Sequence, residues 1–282
     1  MLLVSKGDDI IIAGQIQMNL SQYDKITISN SFAEAKYNLN SLEQKLVLIN
    51  ISTIKFEDEE FKKNMFTVQE LASLMGVSSE LLYRELPKMC NKLLSTIFEI
   101  REKTGSKWFK FNLLSSALYD NGTIYFKFND ESKPFLLKLK SLFTSFSLNN
   151  VLHLDSKYSL RIYQICCSSR FKKEIYYSLE DFKDILSLTQ KSYNQFGNIK
   201  AKIITPALEE INSKTDITLE YTPIKQGRKI IGIKFLINNN KQKVIIEKEH
   251  HSKHQPKSKF FNFESHDYDY NELERQLLGW ND

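Results

Sequence analysis

Two stretches of this 282-residue chain carry side chains suited to gripping nucleic acid. In KSYNQFGNIKAKIIT, residues 191–205, a helical register that buries Phe196, Ile199, Ile203, Ala207 and Ile211 turns Asn194, Asn198, Ala201, Lys202 and Thr205 outward. Asparagine can hydrogen-bond adenine through two bonds, lysine can contact guanine or phosphate, and alanine can lie against a thymine methyl group. No carboxylate interrupts this face before Glu209. Lys191, Ser192 and Lys200 flank it as phosphate contacts, and Lys225, Arg228 and Lys229 form a basic turn able to reach an adjacent backbone or minor groove. Pro206 is expected to bend the helix after its reading turns.

The second stretch is QELASLMGVSSELLYREL, residues 69–86, with Ala72 where two helices must pack closely and Gly76 to make the turn between them. That spacing is the mark of a helix-turn-helix. With Leu82 and Leu86 buried, Ser78, Leu81, Arg84, Lys88 and Asn91 face outward and are the candidate DNA contacts of this half. Any helix buried on one side shows charges on the other, and Glu80 and Glu85 stand beside Arg84. The sequence-reading role therefore falls to the later stretch.

No catalytic constellation is present. GRKIIGIK, 227–234, has the glycine spacing of a phosphate loop, but Ile233 stands where the lysine is required, and the segment reads as strand. A nicking nuclease needs a metal-binding histidine pair near a tyrosine, and His153 is the only histidine before residue 250. His250, His251 and His254 lie in a polar, basic run that reads as solvated linker. Cys166 and Cys167 cannot both be buried on one helix face, and packing rather than reactivity is their expected role. The expectation is a non-enzyme with no cofactor and no metal.

The elements that must hold these residues follow one order twice. A helix over 37–54, with Leu39, Leu42, Leu46, Ile49 and Thr53 near one face, is capped by Asn40 or by Ser41 with Gln44. A second, capped by Thr67 and Glu70, ends at Gly76, and a third buries Leu82, Leu86, Met89 and Leu93, with a kink expected at Pro87. Trp108 to Leu113 alternate, an Asn121-Gly122 turn follows, and Ile124, Phe126 and Phe128 complete a hairpin. After a connecting helix and loop over 132–148 the order returns: a helix over 155–171, the strand KEIYYS, a helix capped by Ser178, the 194–214 helix, and two strands around Gln226 to Lys229. Helices followed by a hairpin make a winged helix, so the boundaries are 1–22 flexible, 23–149 domain one, 150–238 domain two, and 239–282 a tail. The tail begins as a basic linker and ends in FFNFESHDYDYNELERQLLGWND, whose Leu273, Leu277 and Trp280 have the helical spacing of a docking peptide.

Composition sets the remaining limits. The formal net charge is +5, and by segment it is +1 over 1–149, +5 over 150–238 and −1 over 239–282. The excess sits where the outward Asn and Lys residues are, which suits a polyanionic partner. Apolar runs are too short to span a bilayer, the N-terminus lacks the pattern of a signal peptide, and an odd number of cysteines does not suggest a secreted disulfide framework. A cytoplasmic location is expected.

SLEQKLVLINIS, NGTIYFKFNDESKPFLLKLKSLFTSFSLNNVLHLDSKYSLRIYQI and NQFGNIKAKIITPALEEINSKTDITLEYTPIKQGRKIIGIKF together resemble theta-type plasmid replication initiators that bind iterons, over residues 20–238. The resemblance implies an α+β chain of two tandem winged-helix domains forming a pseudo-repeat; the tail, expected from its composition to be mostly disordered, goes beyond the family's core. It implies that domain two reads one end of each repeated origin element in double-stranded DNA, while domain one contacts the other end and forms dimers. Monomers would open the origin, dimers would repress the protein's own gene, and the host initiator protein and replicative helicase would be partners. Two other readings stay open: a transcriptional regulator with the same domains, and an adaptor that loads helicase through its acidic tail.

Overall fold

The computed structural model describes residues 24–102 and 107–240, together with the backbone of Val4–Lys6 (β1) and Asp9–Ile11 (β2), which pair antiparallel inside the stretch expected to be flexible. The tail features expected over residues 241–282, including Leu273, Leu277, Trp280 and the histidine run, lie outside the described residues. Met1–Val244 forms one compact unit. Its elements continue with β3 (Lys25–Ser29), α1 (Asn30–Ala33), α2 (Ser41–Ser52), β4 (Asn64–Thr67), α3 (Val68–Met75) and α4 (Ser79–Ser95). Then come β5 (Ile97–Arg101), β6 (Trp108–Asn112), β7 (Leu114–Asp120), β8 (Thr123–Phe128), α5 (Lys133–Leu136), β9 (Phe143–Ser147) and α6 (Leu148–Leu152). The later elements are α7 (Lys157–Cys167), β10 (Glu174–Ser178), α8 (Leu179–Ile185), α9 (Phe196–Ile199), α10 (Thr205–Lys214), β11 (Ile217–Gln226) and β12 (Lys229–Asn239).

The pseudo-repeat is visible in the sheets. One sheet has the order β4-β8-β7 and the other β10-β12-β11, so in both a short first strand lies beside the last strand of the hairpin. Each hairpin folds back onto the helices that precede it, giving two tandem winged helices. The turns obey local rules: Gly76 ends α3 at φ +67, and Asn121 and Gly122, at φ 44 and 82, supply the two left-handed residues of a tight hairpin turn. Thr67 and Glu70 form the expected capping box, and Leu82, Leu86, Met89 and Leu93 make the buried face of α4. Each such side chain contributes about 1.5–3 kcal/mol by leaving water. Helix α4 runs on through Pro87 as one element.

Several elements depart from expectation. The capping box of α2 uses Asn40 and Glu43, because Gln44 is buried and donates instead to the carbonyls of Leu39 and Lys157, at 3.0 and 3.2 Å. Strand β6 is not part of the Asn121-Gly122 hairpin. It pairs with β5, placing Phe98 opposite Phe111, while LSSALYD supplies β7. The expected loop at 132–148 contains β9, which pairs with β3 from the start of the chain.

Residues 149 and 150 lie within α6, and one buried cluster runs through both halves. Helix α7 packs against α1, α2, β9 and α10, so every residue from Ser159 to Cys167 is buried. Cys166 and Cys167 are therefore both buried, contrary to expectation, because this helix has no solvent face. Inside the seam Arg161 donates to Tyr37 Oη at 2.7 Å and to the carbonyl of Ala35 at 2.6 Å, with its guanidinium 4.1 Å from the Tyr37 ring centroid. Glu210 of α10 accepts from the amides of Asp155 and Ser156, at 2.6 and 3.3 Å, and so fixes the entry into α7. Asp184 of α8 pairs with both Lys36 and Arg101 of the first half. No helix among the described residues is long and apolar enough to cross a membrane.

Candidate nucleic-acid interface

The segment expected as one helix from 194 to 214 is built in four pieces. Lys191–Asn194 forms a 3-10 turn, α9 starts at Phe196, and a π turn over Lys200–Ile204 joins it to α10. The amide of Thr205 reaches back five residues to the carbonyl of Lys200. The cause is Pro206, which lacks an amide hydrogen and would press its ring against the carbonyl four residues earlier; a wider turn relieves this. The irregularity thus falls before the proline, inside the reading turns, and not after them. The extra residue in the turn buries Ile203 and Ile204 together and draws Thr205 halfway in. Phe196 is likewise only half-buried.

The outward residues largely keep their predicted places. Lys191, Asn194, Lys200, Ala201 and Lys202 are exposed, while Ser192 and Asn198 are half-buried. Asn198 Nδ2 donates to the Ser192 carbonyl at 2.8 Å, which ties the 3-10 turn to α9. Asn194 Oδ1 accepts from Lys183 Nζ at 3.2 Å, a partner on α8 that the linear pattern of 191–205 did not indicate. Beyond the helix, β11 and β12 extend to a tip at Gly227, φ +60, with Lys225, Arg228 and Lys229 all exposed. A bulge between Ile224 and Lys225 lets the ladder end with Gln226 opposite Lys229.

The electrostatics separate the two candidate surfaces. None of Lys191, Lys200, Lys202, Lys225, Arg228 and Lys229 has an ion-pair partner among the described residues. On α4, by contrast, Arg84 Nε lies 3.0 Å and Lys88 Nζ 3.6 Å from the carboxylate of Glu85. The Arg84 hydrogen bond, with the charge of Lys88, holds the Glu85 carboxyl below the usual carboxylate range. Glu85, more than Glu80, is the group that occupies these cations. Ser78, Arg84, Lys88 and Asn91 are exposed and Leu81 is half-buried, with the Ser78 hydroxyl accepting from the Leu81 amide as the helix cap. Behind this face a cleft of about 360 Å³ lies between α4 and the β7-β8 hairpin, lined without charge by Tyr83, Pro87, Cys90, Leu94 and Tyr119 among others. Burial pushes the Cys90 thiol up to about 11.

Among the described residues no cluster of histidine, cysteine and carboxylate is placed to hold a metal ion. What the second half offers is a set of exposed cations on the 191–202 segment and at the hairpin tip, with no ion-pair partner among the described residues, and such groups can contact a phosphate backbone.

Residues 25–167 match the family described as "Initiator Replication protein, WH1" and residues 178–237 the family described as "Initiator Rep protein, WH2". A "Replication initiation protein" of Escherichia coli is 26% identical over 227 residues, which cover 77% of this chain and 71% of that protein. The "PI protein" of Escherichia coli is 24% identical over 260 residues, covering 78% of this chain and 85% of that one. The solved structure of the Pi initiator protein in complex with iteron DNA has the same fold, with a TM-score of 0.64 and 23% identity over 78% of this chain and 100% of that chain.

Proposed function

This chain belongs to the initiator replication protein family, with both of its winged-helix domains, and on that premise we propose that it initiates plasmid replication by binding repeated origin sequences. The observation that carries the proposal is that Lys191, Lys200, Lys202, Lys225, Arg228 and Lys229 are all exposed and have no ion-pair partner among the described residues. Asn194, Asn198, Ala201, Lys202 and Thr205 meet base edges in the major groove, Lys191, Ser192 and Lys200 hold phosphates, and Lys225, Arg228 and Lys229 reach the neighbouring backbone. The first domain contacts the other end of each repeat through Ser78, Leu81, Arg84, Lys88 and Asn91. Its contribution is smaller while Glu85 keeps two of those cations, and it also forms the dimer.

The mechanism is binding without covalent chemistry. Copies on adjacent repeats bend the duplex, and the accumulated strain helps separate an adjoining AT-rich segment. A monomer opens the origin and a dimer represses the gene, in the cytoplasm, with the host initiator protein and the replicative helicase as partners. DNase footprinting of the full chain on the DNA flanking its gene tests this. Protection of several direct repeats is the expected result, and protection of a single inverted repeat alone would make the protein a regulator.

A further inference from the structure

Five glycines lie among the described residues, and four have a reason inside the chain to be glycine. Gly76, Gly122 and Gly227 sit at positive φ, where side chains are strained, and a Cβ on Gly232 would meet the Tyr176 ring at 2.6 Å and the Tyr177 carbonyl at 2.7 Å. Gly197 has no such reason. Its φ is ordinary, it is exposed, and a Cβ there would meet nothing within 4 Å. It also lies in the first turn of a helical segment, where alanine is the better helix former. The fold gains nothing from the missing side chain.

Its position supplies the reason. Gly197 stands in the chain between Asn194 and Ala201, and all three are exposed. Asparagine and alanine are short and meet base edges only when the backbone that carries them comes close to the groove floor. A side chain at 197 would hold that backbone away. We infer that Gly197 is a specificity-determining residue, whose bare Cα is the point at which duplex DNA approaches the reading segment most closely. The inference rests on the second domain being the DNA reader.

Full-length Gly197→Ala and Gly197→Leu test it against Lys202→Ala and Arg228→Ala, by fluorescence anisotropy on a duplex of one footprinted repeat and by thermal melting. Gly197→Ala should melt at the wild-type temperature or above. It should bind the repeat on the order of tenfold more weakly, as overpacking a fitted contact by one methyl group does, and Gly197→Leu more weakly still. Binding to a scrambled duplex should change far less, because contacts with phosphates alone tolerate a looser fit. Wild-type binding by both glycine variants, with Lys202→Ala and Arg228→Ala impaired, overturns the inference and leaves the reading helix in place. A lower melting temperature for Gly197→Ala overturns it as well, since the fold would then need the glycine. Wild-type binding by all four variants removes the reading helix and the inference with it.

Discussion

Replacing Arg228 and Lys229 together by alanine should change how binding responds to salt, in a way that counts phosphate contacts. Six cations of the second surface have no carboxylate partner among the described residues, so each can displace a counterion condensed on DNA. At about 0.9 per neutralised phosphate, six contacts give a slope of log affinity against log salt near −5.4, and four give −3.6. Between about 50 and 200 mM salt the wild type should therefore lose affinity on the order of 2,000-fold, and the double variant on the order of 150-fold. The two side chains lie at the exposed end of a hairpin whose ladder closes at Gln226 and Lys229, so removing them leaves the packed part of the domain untouched. Fluorescence anisotropy titrations at four salt concentrations, on a repeat duplex and on a scrambled one, measure both slopes. Affinity should fall on both duplexes alike. A slope equal to that of the wild type would show that the hairpin tip does not touch the backbone, and the six-contact count would fall with it.

Other expectations follow from the same geometry. Glu85→Gln should release Arg84 and Lys88 and steepen the salt slope by up to about 1.8, and a flatter slope would count against a DNA-facing α4. Asn198→Ala and Lys202→Ala should each cost roughly 1–3 kcal/mol of specific binding and relax base preference, as seen by selection from a randomised repeat. Arg161→Ala empties a buried site and strands the Ala35 carbonyl, so the unfolding free energy from denaturant titration should fall by about 3 kcal/mol or more; a loss under about 1 kcal/mol would contradict the seam described above. Cys90, with its thiol pushed up to about 11, should label slowly at neutral pH and about tenfold faster per pH unit up to pH 10, with a flat profile as the refuting result. Burial opposes the charge on Glu210, but the amides of Asp155 and Ser156 and the Ser159 and Lys214 side chains outweigh it and hold the carboxyl below its ordinary value. Its contribution is therefore complete above the unfolded value near 4.3 and lost as pH falls through the lower folded value. Glu210→Gln should accordingly flatten the acid limb of a stability curve below about pH 4.

The features legible in the sequence were those written in neighbouring residues. Thr67 with Glu70, Gly76, and the Asn121-Gly122 pair each specify their own turn or cap, and the α3-α4 pair and the turn into β8 followed from them, though not the strand β7 on the other side of that turn. The partner of β6 was not legible, because Trp108 to Asn112 alternates equally well for either neighbour, and only the packing of Phe98 on Phe111 decides. Cys166 and Cys167 misled because helical periodicity assumes one wet face, and α7 has none. In the candidate site the exposure of Ala201 and Lys202 followed from counting 3.6 residues per turn, whereas Asn194 lies in a 3-10 turn and Asn198 is half-buried. The count failed beyond Lys202, where Pro206 forces the π turn and moves Thr205 inward. Gly197 gave no signal, since an exposed glycine gains meaning only when the space around it is known.

The pairing of β3 with β9 brings Thr27 Oγ1 to 2.9 Å from Ser145 Oγ across 118 residues of chain, and Arg161 reaches back 126 residues to Ala35. On the ribosome the first winged helix therefore cannot close its own border until the opening of the second has been made. At about 5–20 residues per second that is a wait on the order of ten seconds, during which Ile26 and Ile28 have no strand to lie beside. A nascent chain halted near residue 140 should thus be held by chaperones and cut readily by protease, and one halted far enough beyond Cys167 for α7 to clear the exit tunnel should resist.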